Sequence, residues 1–432
     1  MTRAVAASAI AWTLVVAASE SQQPTGVTQL LQDSSVRAAV NAAKANEPQT
    51  IEDQVRFCEV PAPSLREAAR GELLRRAFLQ LELQNVRVDR AGNVLGDRPG
   101  AAPRPRVVIA AHLDTVFPEE TDVKVKREGA ILRGPGIGDN CRGLAVLVAV
   151  IRAMREANVQ TPGSITFVAN VGEEGLGDLG GMKELFGVAN PTEKRGVGVP
   201  AQRAGAMAID RFVAIDGAGL HITHVAVGSH RYRVTFKGPG GHSFGAFGLA
   251  NPIDALGRAV AKIAEFQVPI QPRTTFNVGR IGGGTSVNSI PFEAWMEVDM
   301  RSSDPASLAS VDANFHKAVD LAVVEENDRW GTPRAITTVK DLVGDRPAGS
   351  TPADAPIVRS AQAVGRALGF SVSMGEGSTD SNVPISLKIP AITIGGGGRG
   401  SGVHAPSEAF DTTDAWMGTQ NAVLVTIALA QK

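Results

Sequence analysis

Four short apolar runs, far apart in the chain, are each followed by a carboxylate or an imidazole. The runs are residues 107–111, 165–168, 212–215 and 391–394, and each is typical of a buried strand. The side chains that come after them are His112, Glu174, Asp216 and His404. Ligands of a parallel α/β sheet bind beyond the carboxyl ends of its strands. We therefore expect these four residues to meet at one place.

A fifth candidate of the same kind is Asp139, in the glycine-rich loop 134–140. Two imidazoles and three carboxylates suit zinc, cobalt or manganese better than calcium or magnesium. Five ligands exceed what one tetrahedral zinc needs, but two metal ions that share a carboxylate would use all five. The loop lacks the Lys-Ser/Thr ending of a phosphate-binding P-loop. Asp139 is thus predicted to bridge two metals; the alternative is a helix N-cap.

The length and charge of the chain limit the classes of function. Its 432 residues exceed what one core usually supports, so we expect two domains. Hydrophobic residues make up 43% and charged residues 20%, as in ordinary globular proteins. The net charge of -1 gives no support for a nucleic-acid partner or an anionic membrane surface.

The N-terminus has the layout of a secretory signal. Arg3 precedes an apolar stretch that ends in small residues, and a polar segment begins at Glu20. Residues 1–19 are therefore predicted to be a signal peptide, and the mature protein to be secreted or periplasmic without a membrane segment. The alternative is an ordinary buried or frayed N-terminal helix.

The order of the predicted elements indicates an α/β fold with an insertion. A mostly helical entry, residues 26–84, leads into alternating strands and helices, which favour a mostly parallel sheet covered on both faces. Residues 231–339 then follow a β-α-β-β-α-β order, which is ferredoxin-like. We predict a discontinuous catalytic domain over residues 27–228 and 346–432, with a small inserted domain over residues 229–345.

Two acidic neighbours extend the predicted metal site. Asp114 lies two residues after His112 and can orient its other ring nitrogen. Glu173 lies beside Glu174; one of the pair would bind metal and the other would act as general base. The alternatives are a strand-end histidine beside a surface aspartate, and two exposed glutamates.

Other polar residues allow more than one interpretation. His242 lies in a glycine turn and is either an exposed histidine or an oxyanion donor. Asn288 and Arg301 are structural residues or substrate contacts, since arginine recognises carboxylates in a bidentate manner. Cys141 is an extra metal ligand, a redox-sensitive thiol or a small buried side chain.

Taken together, these motifs resemble the M20 family of metallopeptidases and amidohydrolases, from about Val55 to the C-terminus. The motifs are His-x-Asp at 112–114, Asp-Asn at 139–140, Glu-Glu at 173–174, Asp216, Gly-Gly-His at 240–242, Asn288 with Asp-Met-Arg at 299–301, and His404. The resemblance implies a zinc-peptidase catalytic domain with two Zn²⁺ ions (Co²⁺ or Mn²⁺ in their place) and an inserted ferredoxin-like lid domain that commonly forms a homodimer.

The resemblance also implies a role for each matched residue. One metal would be held by His112, Asp139 and Asp216, and the other by Asp139, Glu174 and His404. The general base would be Glu173, supported by Asp114; His242 would stabilise the oxyanion, in its own site or the partner subunit's, and Asn288 and Arg301 would bind the substrate's carboxylate. The chain departs from the family at Cys141-Arg142, where Lys and Gly are commoner, and in the long segment before Asp216, where residues 194–204 are expected to form a loop at the substrate pocket.

Three functions therefore stay open. The first is a dinuclear zinc hydrolase that cleaves a peptide bond in small peptides. The second is an N-acyl-amino-acid deacylase of the same family, since both reactions hydrolyse an amide by the same chemistry. The third is an exported metal- or ligand-binding module without catalysis, because a fold does not fix a function.

Overall fold

The computed structural model of the chain describes residues 26–191 and 208–431. The predicted signal peptide, residues 1–19, and the predicted loop at residues 194–204 lie outside this part, so both stay predictions. Among the described helices, none combines the length and the apolar character that crossing a bilayer requires.

The helices of the described residues include the predicted helical entry and the helix after the glycine-rich loop. They are α1 (Val27–Leu30), α2 (Ser34–Ala45), α3 (Glu47–Cys58), α4 (Ala68–Gln80), α5 (Cys141–Glu156), α6 (Gly180–Leu185), α7 (Pro252–Ala264), α8 (Pro305–Arg329), α9 (Pro356–Leu368), α10 (Asn382–Ser386) and α11 (Trp416–Leu429). A single 3-10 turn, Gly175–Gly177, directly follows Glu174.

The strands fall into one large sheet, two four-stranded sheets and one short pair. They are β1 (Gln84–Val88), β2 (Val94–Arg98), β3 (Arg106–His112), β4 (Lys126–Glu128), β5 (Ile131–Arg133), β6 (Ser164–Asn170), β7 (Arg211–Ile215), β8 (His221–Ala226), β9 (Gly228–Lys237), β10 (Gly241–His242), β11 (Thr274–Gly283), β12 (Ser289–Ile290), β13 (Glu293–Ser302), β14 (Thr337–Arg346), β15 (Gly349–Ser350), β16 (Ser373–Gly377), β17 (Ala391–Ile394), β18 (Arg399–Ser401) and β19 (Ala409–Asp411).

The large sheet has a parallel centre and antiparallel margins. Its order is β1-β2-β6-β3-β7-β17-β8-β15, and β16 pairs with β8. Strands β6, β3, β7 and β17 are parallel to one another and contain all four predicted apolar runs. Strands β1 and β2 on one side, and β8 and β15 on the other, join in antiparallel fashion. The predicted α/β fold is confirmed, and the antiparallel margins are an addition that the sequence pattern did not indicate.

Helices cover both faces of this sheet. In β3, Val107 and Ile109 belong to the core that includes residues of α5 and α11. Val108 and Ala110, which point the other way, belong to a second core with Leu179. Because each side chain of such a strand meets a packed layer, the strand must be apolar along its whole length. This explains why the runs before the candidate ligands are continuous rather than alternating.

The second sheet has the predicted ferredoxin-like order. Strands β11-β13-β9-β14 are all antiparallel, and every second residue of β13 is buried against the core under α7 and α8. Chain order β9-α7-β11-β13-α8-β14 is the predicted β-α-β-β-α-β arrangement. The sheet lies within residues 228–346; the exact domain limits and dimerisation stay predictions.

The last strand of this sheet begins three residues later and ends seven residues later than predicted. The sequence pattern predicts a strand at residues 334–339, whereas β14 runs from Thr337 to Arg346. The side chain of Asn327 accepts a hydrogen bond from the Ile336 N–H (2.8 Å) and donates one to the Ile336 carbonyl (3.2 Å). These bonds occupy the backbone groups that Ile336 would need for sheet pairing.

A glycine contact fixes helix α11 against the turn after β17. A Cβ atom on Gly418 would lie 2.1 Å from both Gly396 C and Gly397 N, which are backbone atoms. We expect Gly418→Ala to lower the free energy of unfolding by about 1–3 kcal/mol, as overpacking does. Denaturant unfolding measures this difference.

Gly257, in helix α7, is the matched control because nothing lies within 4 Å of a Cβ built there. We expect Gly257→Ala to raise the free energy of unfolding by about 0.4–1 kcal/mol, since alanine restricts the unfolded chain. Equal effects of the two alanines would show that the Gly418 contact is not tight.

Candidate metal centre

His112 lies at the carboxyl end of β3 with both ring nitrogens engaged. Its Nε2 is 3.1 Å from Asp139 Oδ1 and 3.6 Å from Asp216 Oδ1. Its Nδ1 is 3.0 Å from the backbone oxygen of Asp114 and 3.5 Å from Asp114 Oδ1. His112 and Asp114 are both buried. The surface alternative for this pair is therefore wrong.

Asp139 lies between two imidazoles. Its Oδ1 faces His112 as above, and its Oδ2 is 3.1 Å from His404 Nε2. The helix N-cap is the next residue, Asn140, whose Oδ1 accepts a hydrogen bond from Gly143 N at 3.0 Å. The Asn140 Nδ2 donates to the Ile215 carbonyl at 2.9 Å. The N-cap alternative for Asp139 is thus wrong, and its carboxylate is available to ligands.

The loop that carries Asp139 is held by Glu408. Glu408 Oε2 accepts the N–H of Gly136 at 2.9 Å, and Oε1 accepts the N–H groups of Gly138 (2.8 Å) and Asp139 (3.0 Å). The Glu408 side chain is buried. Three backbone donors on one carboxylate fix the loop in place, so Glu408 positions Asp139 without facing the centre.

Removal of this carboxylate is expected to destabilise the fold. Glu408→Ala leaves three backbone N–H groups without their partner, and each such loss costs about 1–3 kcal/mol when the donor stays buried. We expect the free energy of unfolding to fall by at least about 2 kcal/mol, measured by urea unfolding. Glu120, an exposed glutamate, is the control; Glu120→Ala should change stability by less than about 0.5 kcal/mol. Equal stability of the two variants would refute the role of Glu408.

The Glu173-Glu174 pair is buried and tied to Asp114. Asp114 Oδ1 accepts the N–H of Glu173 at 3.0 Å, and Oδ2 accepts the N–H of Glu174 at 2.8 Å and the hydroxyl of Ser64 at 2.6 Å. Glu174 Oε1 is 2.9 Å from His404 Nε2. The exposed alternative for the two glutamates is wrong, and Asp114 joins the β3 end to the β6 end.

Glu173 does not share the contacts of Glu174. Its Oε1 accepts a hydrogen bond from Arg346 Nη1 at 3.0 Å, and both side chains are 5% exposed. Burial raises the pKa of Glu173 well above its usual value; Arg346 opposes this rise and Glu174 adds to it. A carboxylate in this state binds a proton more readily than an exposed glutamate does.

The charge balance of the cluster favours a bound cation. Burial alone would lower the pKa of His112, but the nearby carboxylates of Asp114, Asp139 and Asp216 outweigh burial and raise that pKa well above its usual value. Hydrogen bonds that His404 donates to the carboxylates of Asp139 and Glu174 raise the pKa of His404 to about 10. The carboxylates around the two imidazoles therefore bring surplus negative charge to the cluster. A bound divalent metal ion would neutralise this negative charge.

The ligand atoms form groups of a size that fits metal binding. The first group is His112, Asp139 and Asp216; the second is Asp139, Glu174 and His404; a third is His112, Glu173 and Glu174. Within each group the candidate atoms lie within 4.8 Å of one another. The first two groups are the ligand sets that the family resemblance implies, and they share Asp139. The five residues thus converge as predicted, and their donor types fit two divalent metals.

Within the described residues, three with predicted oxyanion or substrate roles have no contact with this cluster: His242 and Asn288 lie at the short β10-β12 pair, and Arg301 lies on the second sheet. His242 is exposed, and its Nδ1 accepts the N–H groups of Phe244 and Gly245, each at 3.2 Å. It pairs with Ser289 in the β10-β12 strands, next to the exposed Asn288. Arg301 Nε donates to Asp299 Oδ2 at 2.7 Å. Their contacts in the described chain do not include the candidate ligands, and their roles stay predictions.

The departure at Cys141-Arg142 has a structural explanation. Cys141 is buried in an apolar cluster with Cys58 and Phe410, as its third alternative predicts. The buried Arg142 donates to the carbonyls of Gly396 and Ala415, each at 2.7 Å, and its Nη1 is 2.7 Å from Glu47 Oε1. Arg142 therefore binds the glycine run after β17 to the start of α11, and it does not contact the ligands.

Four residues near the centre had no role in the sequence analysis: Ser64, Arg346, Asp380 and Glu408. Asp380 is buried and accepts a hydrogen bond from Asn170 Nδ2 at 2.8 Å; burial raises the pKa of Asp380 to about 7. Glu408 follows His404 by four residues, and this short separation in sequence was the one indication that Glu408 lies near the centre. Ser64 and Arg346 reach the centre from remote segments, for which the local pattern gives no indication.

Comparison with known proteins identifies the family of this chain. The model of peptidase family M20/M25/M40 matches residues 108–430. Succinyl-diaminopimelate desuccinylase of Corynebacterium glutamicum is 25% identical over 350 residues, which is 79% of this chain and 86% of that protein.

Solved structures show the same fold. A tripeptidase from Staphylococcus aureus has a TM-score of 0.71 at 19% identity, covering 90% of this chain and 99% of its own. The YxeP protein of Bacillus subtilis, described as a dinuclear metal-binding peptidase, has a TM-score of 0.62 at 16% identity, covering 89% and 98%. Because the family match spans more than half of the chain, this protein belongs to peptidase family M20/M25/M40 and is a hydrolase.

Proposed function

We propose that this hydrolase binds two divalent metal ions, with zinc the first candidate, and cleaves the amide bond of a small peptide. The observation that carries the proposal is Asp139, whose two carboxylate oxygens each lie 3.1 Å from a different imidazole nitrogen. One carboxylate between two ligand sets is the arrangement that two adjacent metals need. Cobalt or manganese would suit the same donors.

The residues of the chain divide the reaction between them. When bound, such metal ions lower the pKa of water and polarise a carbonyl. Glu173 removes the proton of the attacking water and returns it to the leaving amine, which suits its raised pKa. Asp114 fixes the tautomer of His112 and the backbone of Glu173 and Glu174.

The inserted segment supplies the proposed substrate contacts, with His242 and Asn288 at the β10-β12 pair and Arg301 on the second sheet. His242 donates to the developing oxyanion, in its own site or in that of a partner subunit. Asn288 and Arg301 bind the carboxylate of the substrate. In this proposal the second sheet acts as a lid, and a homodimer through it would bring His242 to the neighbouring site.

An N-acyl-amino-acid deacylase is the second candidate. The relative that favours it is the desuccinylase, whose similarity covers 86% of that protein. A peptide and an N-acyl amino acid present the same amide to the metal centre, so the described ligands serve both. The family match favours either enzyme over the non-catalytic binding module.

A substrate panel tests the proposal. The full chain is assayed for amino acid release from dipeptides, tripeptides, N-acetyl and N-succinyl amino acids, before and after chelation and with zinc, cobalt or manganese restored. We expect turnover that chelation abolishes and one of these metals restores. Release from peptides alone selects the peptidase, and release from N-acyl substrates alone selects the deacylase. Turnover that survives complete metal removal would refute the proposal, and two bound metals without turnover would favour the binding module.

A further inference from the structure

Arg346 binds both the side chain and the backbone of Glu173, the proposed base. Its Nη1 donates to Glu173 Oε1 at 3.0 Å and to Ser378 Oγ at 3.2 Å, and its Nη2 donates to the backbone carbonyl of Glu173. A planar guanidinium that binds a side chain and its own main chain fixes the rotamer between them. The ion pair is almost completely buried, where a misplaced charge is costly.

Arg346 also lies where the second sheet connects to the large sheet. It is the last residue of β14, where the chain returns from the second sheet to the large one. The preceding residue, Asp345, donates its N–H to Asp178 Oδ1 (2.9 Å) and Oδ2 (3.0 Å). Asp178 ends the short turn that begins after Glu174. The return strand therefore contacts the Glu173 loop at two successive residues.

Asn382 fixes this crossing point from the side of the large sheet. Its Nδ2 donates to the Val227 carbonyl at 2.9 Å and to the Pro347 carbonyl at 3.0 Å. Val227 precedes the first strand of the second sheet and Pro347 follows its last strand, so one buried amide joins the outgoing and returning segments. The backbone of Arg346 is thereby held next to the base.

We propose that Arg346 is a positioning residue for the hydrolytic reaction, which orients the Glu173 carboxylate toward the attacking water and links that orientation to the placement of the second sheet. This inference rests on the proposed function, in which Glu173 is the base. With Oε1 held by Arg346, the orientation of Oε2 is determined as well. An arginine that reads the substrate's carboxylate is the competing role, but both terminal nitrogens already bind protein groups.

Kinetics of two substitutions separate these roles. We expect Arg346→Ala to lower kcat by about 10- to 100-fold with KM changed less than about twofold, because a base displaced by about 1 Å loses rate at that scale. Arg346→Lys, which keeps one charged donor, should recover part of the loss. A large rise in KM at unchanged kcat would overturn the proposal and make Arg346 a substrate contact.

A matched control accounts for the general cost of losing a buried arginine. Arg211 is partly buried, donates to the carbonyls of Leu429 and Gln431, and lies at the opposite end of β7 from Asp216. Arg211→Gln should leave kcat and KM near the wild-type values even if the melting temperature falls. An equal loss of kcat in Arg211→Gln and Arg346→Ala would show that the loss comes from lower stability, and it would overturn the proposal.

Coupling to Glu173 gives a second criterion. If Arg346 acts only through the base, Arg346→Ala in a Glu173→Gln background should cause almost no further loss of kcat. Losses that multiply would overturn the proposal, because they would show that the two residues act independently.

Hydrogen exchange tests the contact without relying on turnover. We expect amides of residues 171–178 to exchange faster in Arg346→Ala than in wild type and to be unchanged in Arg211→Gln. Unchanged exchange in Arg346→Ala would overturn the positioning role. If the wild type turns over no substrate but Arg346→Ala still speeds this exchange, the proposed function fails while the contact between Arg346 and the loop is supported.

Discussion

Asp139→Ala is expected to abolish turnover and to release bound metal from the chain. Asp139 belongs to both main ligand groups, so its removal takes one donor from each. It also leaves His112 and His404 without a shared counter-charge. We expect the rate to fall by at least about 10⁴-fold, which is a small part of the acceleration that enzymes typically provide.

Metal analysis together with kinetics checks this expectation. We expect the variant to retain fewer than two metal ions per chain after dialysis and the wild type to retain two. Asp122→Ala is the control, since Asp122 is exposed and makes only a local bond to the Lys124 N–H. Retention of both metals with a tenth or more of wild-type activity would contradict the bridging role of Asp139.

Glu173→Gln is expected to remove catalysis while the metals stay bound. Glutamine has nearly the shape of glutamate and still accepts the hydrogen bond from Arg346, but it does not take up a proton at neutral pH. General base catalysis contributes about 10²–10⁴-fold, so kcat should fall by that factor. The first two ligand groups do not include Glu173, so metal content should be unchanged.

Kinetics and metal analysis also test the prediction for Glu173→Gln. Kinetics should show the loss and metal analysis should show none, in contrast to Asp139→Ala. Glu52→Gln serves as the control, because Glu52 is an exposed glutamate paired with Arg127. Wild-type kcat in Glu173→Gln on a confirmed substrate would remove Glu173 from the role of base.

The sequence predicted the features of the centre that depend on local patterns. Strands buried on both faces must be continuously apolar, so the runs before His112 and Asp216 were visible, and the carboxyl ends of parallel strands share one edge. The β-α-β-β-α-β order of residues 231–339 likewise indicated the second sheet. Burial of Glu173 and Glu174 followed only from the structure, because two adjacent acids look the same in a surface turn.

The features that were missed depend on contacts between remote segments. Glu408 binds the loop at Gly136, and Arg346 binds Glu173, across separations of 272 and 173 residues. The hydrophobic periodicity of a sequence does not indicate contacts between residues so far apart. The antiparallel margin at β1 was missed for a related reason: β1 is largely exposed, so its side chains carry little hydrophobic pattern.

The two connections to the second sheet also affect how the length of this chain can be altered. Ser229 and Arg346 are direct partners in neighbouring strands, about 4.8 Å apart in the pairing direction. The segment between them therefore begins and ends at nearly the same point. The distance between its two attachment points on the large sheet is the same whether the segment is long or short. Loop-closure entropy within the insert rises only slowly with its length. We expect that a protein engineer can thus enlarge, shorten or exchange the insert without moving a candidate metal ligand, provided that the returning strand still ends in Arg346.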